Sequence, residues 1–206
     1  MDGGRSLATP EVPQTTIAAG QLFQHISRVA YRGTPLYFSR DGANRYDSPG
    51  MSYGVFYLGF DLPTALMESV FHNHQWHRRT RRMISHSEVR QRLVRAVGAI
   101  EDIRLADLTA PGVMASRFGL NLSQLASRRY RHTQRISATL YAIADASGTP
   151  AYDGVLYPSR NNHPASCIAL FDRAGPKVTL VDDIDLVSHA DWPGFVSRYR
   201  IMVLPR

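Results

Sequence analysis

The chain has 206 residues, of which 44% are hydrophobic, and this is enough to bury the core of one domain. Its formal net charge of +7 favours a polyanionic ligand or an acidic partner. A single cysteine, Cys167, excludes an intrachain disulfide framework, and no segment has the roughly 20 consecutive apolar residues of a membrane span. The N-terminus lacks the apolar segment of a secretory signal, so we expect a cytoplasmic protein.

Two regions of the chain differ in composition. Residues 1–20 are rich in glycine, proline, threonine and alanine, which predicts a flexible N-terminal arm. Residues 21–206 contain the apolar runs and contain no internal repeat, so we expect them to form one domain.

The domain begins with a predicted strand from Phe23 to Tyr31, which contains Arg28. A loop rich in turn-forming residues follows between Ser39 and Pro49. Arg45 lies in this loop. The pattern therefore predicts one arginine on a strand and a second arginine on the loop after it.

The next segment has the sequence of a strand, a tight turn and a helix. Residues 54–59 form a short apolar run bounded by glycines, and alternation places Tyr57 on the same face as Val55. Asp61 is a predicted N-cap, with a proline in the first turn of a helix that extends to about Trp76. Glu68 lies at the edge of the apolar stripe of this helix, from which it can point into a cleft.

The rest of the chain contains strands and helices without a regular βαβ repeat, which favours an α+β fold over a doubly wound sheet. The further predicted strands are residues 83–86, 103–108, 153–158, 166–171, 177–181 and 201–204, and the further predicted helices are residues 87–97, 130–146 and 191–199.

The order of these segments resembles the RES domain family, which is named for an Arg, Glu and Ser signature and is commonly the toxin half of bacterial toxin–antitoxin pairs. The resemblance covers roughly residues 22–175. One departure is Asn44-Arg45-Tyr46, where many members have Gly-Arg followed by an aromatic residue. The matching pieces are Arg28-Val29, residues 35–39, 44–49, 53–59, 65–68, 153–160 and 167–171.

The resemblance implies a single domain similar to the ADP-ribosyltransferase toxins, with split mixed β-sheets, flanking helices and NAD in a central cleft. Members degrade NAD by hydrolysis or phosphorolysis, or transfer ADP-ribose to a protein. NAD is therefore expected as the substrate, inorganic phosphate as a candidate co-substrate, and no metal or further cofactor. The implied partner is an antitoxin protein with a DNA-binding helix-turn-helix. The expected assembly is a homodimer of the toxin or a toxin–antitoxin hetero-oligomer, and the implied outcome is growth arrest.

The resemblance also carries over individual residues. Breaking the ribose–nicotinamide bond passes through an oxocarbenium-like transition state, and nicotinamide leaves as a neutral molecule, so one carboxylate suffices. Arginines can clamp the pyrophosphate, and a tyrosine ring can pack on the cationic nicotinamide. Ser159 is predicted to hydrogen-bond either the ligand or Glu68. The predicted catalytic residues are Glu68 and Arg28, and the predicted NAD-binding residues are Arg28, Arg45, Tyr46, Tyr57, Ser159 and Arg160.

Other functions compete with this interpretation. The acceptor of the ADP-ribosyl group can be water, phosphate or a protein side chain. The arginine runs at residues 78–82 and 128–135 suggest a nucleic-acid-binding module, but no recognition helix or stacking platform accompanies them, so no direct nucleic-acid contact is expected. The histidines His72, His74 and His77 lack the further ligands of a zinc site.

Overall fold

The computed structural model describes residues 12–72 and 82–205, except residues 122, 123, 125, 126 and 128. The chain folds as a single α+β domain, which confirms the predicted class. Its strands are β1 (Gln14–Ile17), β2 (Leu22–Arg28), β3 (Val55–Gly59), β4 (Met83–Ser85), β5 (Arg92–Ala99), β6 (Ile103–Asp107), β7 (Gly154–Pro158), β8 (Ser166–Phe171), β9 (Val178–Asp185) and β10 (Met202–Leu204). The α-helices are α1 (Leu62–Glu68), α2 (His86–Arg90), α3 (Val113–Phe118), α4 (Arg131–Ala142) and α5 (Trp192–Arg198).

Eight of these strands form one curled, mixed sheet in the order β1-β6-β7-β8-β3-β2-β5-β9. Neighbouring strands are antiparallel, except for β6 and β7, which are parallel. Strands β4 and β10 form a separate parallel pair. In the part of the chain that the structure describes, no helix is both long and apolar enough to cross a membrane.

The large sheet opens between β2 and β3. Strand β2 pairs with β5 along its whole length, and β3 pairs with β8 along its whole length, but β2 and β3 pair only at Gln24 and Gly59. Beyond this pair the two strands separate, and residues 29–54 connect their separated ends. We call this opening the fork. It is the split in the sheet that the family resemblance implied.

Strand β3 and helix α1 follow the predicted pattern closely. Val55 lies in one core cluster with Tyr57 packed against it, while Phe56 lies in another, as strand alternation requires. The Asp61 Oδ1 atom accepts a hydrogen bond from the Thr64 backbone N–H at 2.7 Å and caps α1. An added Cβ at Gly59 would lie 2.7 Å from the Ala65 backbone nitrogen, so glycine is what lets α1 return so close to β3.

The prediction of a flexible arm over residues 1–20 is wrong for its later part. Residues Gln14–Ile17 form the edge strand β1, which pairs antiparallel with β6. The Thr15 hydroxyl donates to Asp107 Oδ2 at 2.9 Å and fixes the register. Two threonines and an isoleucine favour a strand once an edge is available, but that edge comes from a distant part of the sequence. Residues 1–11 lie outside the described residues.

The predicted helix over residues 87–97 is also wrong. Helix α2 is short, and Ser85 rather than Ser87 caps it by accepting from the Glu88 N–H at 3.1 Å. Residues Arg92–Ala99 form β5 between β2 and β9, where Leu93 and Val97 are buried. Sheet partners distant in sequence outweigh the helical period of this segment.

Smaller differences concern where elements end. Strand β2 ends at Arg28, and Val29–Tyr31 form a 3₁₀ helix instead of continuing the strand. Helix α1 ends at Glu68, earlier than the predicted end at Trp76, and residues 73–81 lie outside the described residues. Glu68 is therefore the last residue of its helix.

Candidate active site

A cavity of about 910 Å³ lies in the fork. One wall comes from β2 and β5, the opposite wall from β3 and Tyr157 of β7, and the connecting segment 29–54 adds further residues. The end of α1 contributes Glu68. Pockets for small ligands and cofactors usually enclose about 300–1,000 Å³, so this cavity can admit a dinucleotide.

The cavity lining is positively charged. Among the described residues, five arginines and two carboxylates, Asp41 and Glu68, line it. Outside the lining, Glu88 pairs with Arg28 and Arg92, and Asp183 pairs with Arg95. Desolvated positive charge in a concave site attracts anions, and arginine binds phosphates with paired hydrogen bonds. The five are Arg28, Arg45, Arg92, Arg95 and Arg160.

The cavity brings together most of the residues predicted from sequence, although they come from four separate segments. Arg28, Arg45, Tyr57, Glu68 and Arg160 all line it.

Ser159 is buried behind Glu68 and does not line the cavity. Its hydroxyl donates to Glu68 Oε1 at 2.8 Å. Of the two roles predicted for this serine, the geometry therefore favours the hydrogen bond to Glu68 over contact with a ligand.

The Glu68 carboxylate is held by the loop between β7 and β8. Its Oε1 atom accepts from the Ser159 hydroxyl and also from the Asn161 backbone N–H at 3.1 Å. The same loop is tied to α1 through Asn162, whose side-chain amide donates to Thr64 Oγ1 at 2.8 Å. Tyr199 donates to Asn162 Oδ1 at 2.7 Å. The loop and the helix thus form one rigid support for a single carboxylate.

The position of Glu68 is unfavourable for helix stability. It is the last residue of α1, where the helix dipole carries its negative end, so a carboxylate there is destabilising. The two hydrogen bonds from the β7–β8 loop offset this cost. A carboxylate held in place at the wrong end of a helix, facing a cavity, is typical of a functional group rather than a structural one.

Arg45 is placed by a turn that Asp47 organises. Asp47 is fully buried, and its Oδ2 atom accepts from the backbone N–H of Asn44 at 2.8 Å and from the Asn44 side-chain amide at 3.1 Å. Gln134 of α4 donates to the Asn44 carbonyl at 2.9 Å. Asparagine at the position where many family members have glycine therefore gives a well-fixed turn.

The charge of Arg45 is not neutralised by a nearby acid. Among the described residues, no carboxylate lies within 4.0 Å of its guanidinium, which lies 5.8 Å from the centre of the Tyr157 ring. Burial lowers the pKa of Arg45, but the fields of Tyr46, Tyr157 and Glu68 more than compensate and raise it above its ordinary value. Arg45 is thus a cation in the same electrostatic environment as Glu68.

Arg28 and Arg92 are direct cross-strand neighbours on β2 and β5. Both donate to Glu88 Oε1, Arg28 at 3.3 Å, and Arg28 also donates to Gln91 Oε1 at 3.2 Å. Like charges opposite each other destabilise a sheet, and one glutamate balances only part of this charge. The pair therefore leaves net positive charge on this wall of the cavity.

Tyr57 presents its ring to the cavity while its hydroxyl is used inside the protein. The hydroxyl donates to Asp47 Oδ1 at 2.8 Å and accepts from the Tyr46 backbone N–H at 2.9 Å. Burial and the neighbouring Asp47 carboxylate raise the pKa of Tyr57 well above its ordinary value, so the phenol stays protonated. What remains for a ligand is the face of the ring.

Tyr46, predicted to bind NAD, is placed differently by the structure. Its side chain is only 1% exposed and does not line the cavity. Its ring packs on Tyr157 with 4.6 Å between centres, and its carbonyl accepts from Ser137 at 2.6 Å. The geometry therefore does not favour direct binding by Tyr46, because its side chain lies in the core cluster and not on the cavity lining.

The basic runs are also altered by the structure. Arg82 is buried against Met67 and Phe71, and burial lowers its pKa to about 10, so it adds nothing to an exposed basic surface. Arg129 and Arg131 are exposed. Residues 78–81 and 128 lie outside the described residues.

The zinc alternative gains no support from the part of the chain that is described, where no group of three or more His, Cys, Asp or Glu side chains could hold a metal ion. His72 lines the cavity, and residues 74 and 77 lie outside the described residues.

Sequence reasoning missed several residues that shape the site. Asp47 lies inside the matching segment 44–49 but was given no role, and Asn161 directly follows the segment 153–160. A search for polar groups next to the predicted arginine and serine would have found both. Tyr157 belongs to a quoted segment but was interpreted only as part of a strand. His25 lines the cavity on β2, and nothing in its local sequence marks it.

His25 is a neutral imidazole at physiological pH. Its Nδ1 atom lies 2.9 Å from the Tyr57 carbonyl, which can only accept, so we assign the proton to Nδ1. Burial lowers the pKa of His25 from 6.5 to about 4, although the hydrogen bond to Tyr57 acts in the opposite direction. This hydrogen bond joins β2 to β3 across the fork, beyond the point where the backbone pairing of the two strands ends.

We expect His25 to make the fold sensitive to acid. As pH falls from 6.5 toward 4, the unfolded chain binds a proton at His25 that the folded chain does not, so stability is lost in that window. Between about pH 7 and about pH 4.5, the free energy of unfolding should fall by about 2 kcal/mol more in the wild type than in His25→Gln. Urea denaturation at both pH values measures this, and equal losses in the two proteins would contradict it.

If Glu68 is catalytic, as the family resemblance implies, Ser159→Ala should reduce turnover by misplacing its carboxylate. We expect kcat to fall by about ten-fold with KM unchanged, because the serine contacts the carboxylate and not the cavity. Steady-state kinetics on NAD measures both constants, and Ser116→Ala on exposed α3 is the matched control. A loss of thermal stability with unchanged kcat would show that the serine is only structural.

Comparison with known protein families identifies the family of the chain. The model of the RES domain family matches residues 22–193, which is most of the chain. The chain belongs to the RES domain family. The match includes every strand and helix that lines the fork. A search of curated proteins found no significant match to this RES domain.

Proposed function

We propose that this RES domain is the toxin of a toxin–antitoxin pair and cleaves the nicotinamide–ribose bond of NAD. The observation that carries the proposal is the cavity in the fork, where one carboxylate, fixed by two hydrogen bonds, faces a lining with five arginines. Arg28 and Arg45 suit the pyrophosphate, and Glu68 suits the reacting ribose.

The chemistry follows from the charges. The bond between ribose C1′ and the nicotinamide nitrogen breaks, and its electron pair stays on the nitrogen, so the cationic pyridinium leaves as neutral nicotinamide. Positive charge develops on C1′ and the ribose ring oxygen, and the Glu68 carboxylate stabilises it. Water or phosphate then bonds to C1′ through an oxygen atom, and the proton that the water or phosphate loses passes to solvent. The products are neutral nicotinamide and either ADP-ribose or ADP-ribose that carries the phosphate on the same C1′ carbon.

Each further group has a defined part in this scheme. Arg45, with no carboxylate close by among the described residues, binds the pyrophosphate together with Arg28. The Tyr57 ring packs on the nicotinamide, and a cationic ring on a tyrosine face gains about 1 kcal/mol or more when water is excluded. Ser159 acts through Glu68 as a positioning residue.

The test is product analysis. Pure protein is incubated with NAD, with and without inorganic phosphate, and the products are identified by mass. Nicotinamide with ADP-ribose indicates hydrolysis, and a phosphate-dependent ADP-ribose phosphate indicates phosphorolysis. ADP-ribose attached to a protein in a lysate would indicate transfer instead. Intact NAD under all conditions would contradict the proposal.

The cellular part of the proposal has its own test. Expressed without its antitoxin, the protein should lower cellular NAD and stop growth. Co-expression of its antitoxin partner should restore both. Growth arrest with a normal NAD level would contradict NAD cleavage as the cause.

A further inference from the structure

Two large aromatic side chains on the cavity lining are unusually exposed. Tyr31 is 59% exposed and Tyr37 is 66% exposed, although both line the cavity. Both lie on the segment that connects the separated ends of β2 and β3, so they are at the open end of the fork. Exposed tyrosines on a mobile loop would be unremarkable, so it matters that this segment is fixed.

The buried guanidinium of Arg95 fixes the first half of the segment. Arg95 is 1% exposed and donates to three backbone carbonyls: Tyr31 at 2.5 Å, Thr34 at 3.3 Å and Pro35 at 3.1 Å. Asp183 of β9 balances its charge at 3.3 Å. Burying a charge is costly unless it is paired and fully hydrogen-bonded, and these bonds hold the turn that carries Tyr31.

The second half of the segment is fixed on β3. The Ser39 N–H donates to the Val55 carbonyl at 3.1 Å, and the Val55 N–H donates to the Ser39 carbonyl at 2.9 Å. The Phe38 ring packs on Phe56 with 5.3 Å between centres. An added Cβ at Gly54 would lie 2.7 Å from the Phe38 carbonyl oxygen, so the contact is close. The backbone on both sides of Tyr37 is therefore anchored, while its ring remains in solvent.

The two ends of the cavity differ in chemistry. A small pocket of about 50 Å³ at the closed end of the fork is lined by Gln24, Gly59 and Glu68, among others. Glu68 therefore lies toward the vertex where β2 and β3 still pair, and the exposed tyrosines lie on the segment that joins their open ends. The arginine side chains of β2 and the Arg45 loop complete the lining between.

We propose that Tyr31 and Tyr37 form a stacking platform for the adenine ring of NAD. This inference rests on the proposed function and deepens it. NAD carries a flat base at each end of a ribose–pyrophosphate–ribose chain. With the nicotinamide ribose at Glu68 and the pyrophosphate on the arginines, the adenine reaches the open end of the fork. Neutral bases stack on exposed aromatic rings, and rings whose backbone is already fixed lose little entropy on binding.

The platform predicts a difference between two ligands. Nicotinamide mononucleotide carries the reacting ribose and one phosphate but lacks the adenylate half. Tyr31→Ala/Tyr37→Ala should therefore weaken binding of NAD by about ten-fold and leave binding of the mononucleotide unchanged. In kinetics, KM for NAD should rise with kcat unchanged, because the adenine is distant from the bond that breaks.

Binding is measured by calorimetry in Glu68→Gln protein, so that neither ligand is consumed. Tyr31→Phe/Tyr37→Phe keeps the rings and should keep NAD affinity, and Val181→Ala, exposed on β9, is a surface control. Unchanged NAD affinity in the double alanine variant, or an equal loss for both ligands, would overturn the platform. A different result would overturn only the proposed function: the double alanine variant loses affinity for NAD and not for the mononucleotide, but the wild-type protein does not cleave NAD.

Discussion

Glu68→Gln should lower kcat for NAD cleavage by about 10³-fold. The substitution keeps the size of the side chain, and its Oε1 atom can still accept from Ser159 and Asn161. What disappears is the negative charge that stabilises the oxocarbenium-like transition state. The fold should not weaken, because a carboxylate at the C-terminal end of α1 is unfavourable to the helix.

The measurement is single-turnover kinetics of nicotinamide release, with the melting temperature recorded on the same samples. Glu101→Gln, in the exposed turn between β5 and β6, is the matched control and should cleave NAD at the wild-type rate. A Glu68→Gln protein that is folded and cleaves NAD at more than about a tenth of the wild-type rate would remove Glu68 from the chemistry.

Arg45→Ala should have the second largest effect, on binding. No carboxylate lies within 4.0 Å of this guanidinium among the described residues, so its charge is available to the pyrophosphate. Losing charge-assisted hydrogen bonds in a partly buried site should raise KM for NAD by roughly 100-fold. Arg45→Lys should recover only part of this, because lysine keeps the charge but loses the paired geometry.

The turn itself should survive this substitution, since Asp47 and Gln134 hold the backbone at Asn44. Steady-state kinetics and NAD titration measure the effect, and Arg117→Ala at the exposed end of α3 serves as the control for a lost surface charge. An Arg45→Ala protein with wild-type KM would show that the pyrophosphate lies elsewhere.

The unit of β3 and α1 could be predicted from sequence because its signals are local. Glycines bound the strand, alternation separates Val55 from Phe56, and Asp61 caps the helix. These signals also indicated that Glu68 lies at the edge of the apolar stripe of its helix. The arginine and serine positions came from the family resemblance, because nothing local distinguishes Arg28 from an ordinary edge arginine.

What could not be predicted depends on contacts distant in sequence. Residues Arg92–Ala99 become a strand only because β2 and β9 lie on either side of them. Tyr46 and Tyr57 were both predicted to bind NAD, yet the Tyr46 ring lies in the core and the Tyr57 ring faces the cavity. The depth of each ring depends on how the loop of residues 39–49 packs against β7. The fixed, exposed Tyr31 likewise depends on Arg95, which belongs to the distant strand β5.

The most direct test of the central claim is a crystal structure of Glu68→Gln protein with intact NAD. We predict that the dinucleotide lies in the fork, with its nicotinamide ribose beside position 68, its pyrophosphate on Arg45 and Arg28, and its nicotinamide on the Tyr57 ring. NAD bound on another surface, or an empty fork at a saturating NAD concentration, would contradict the account.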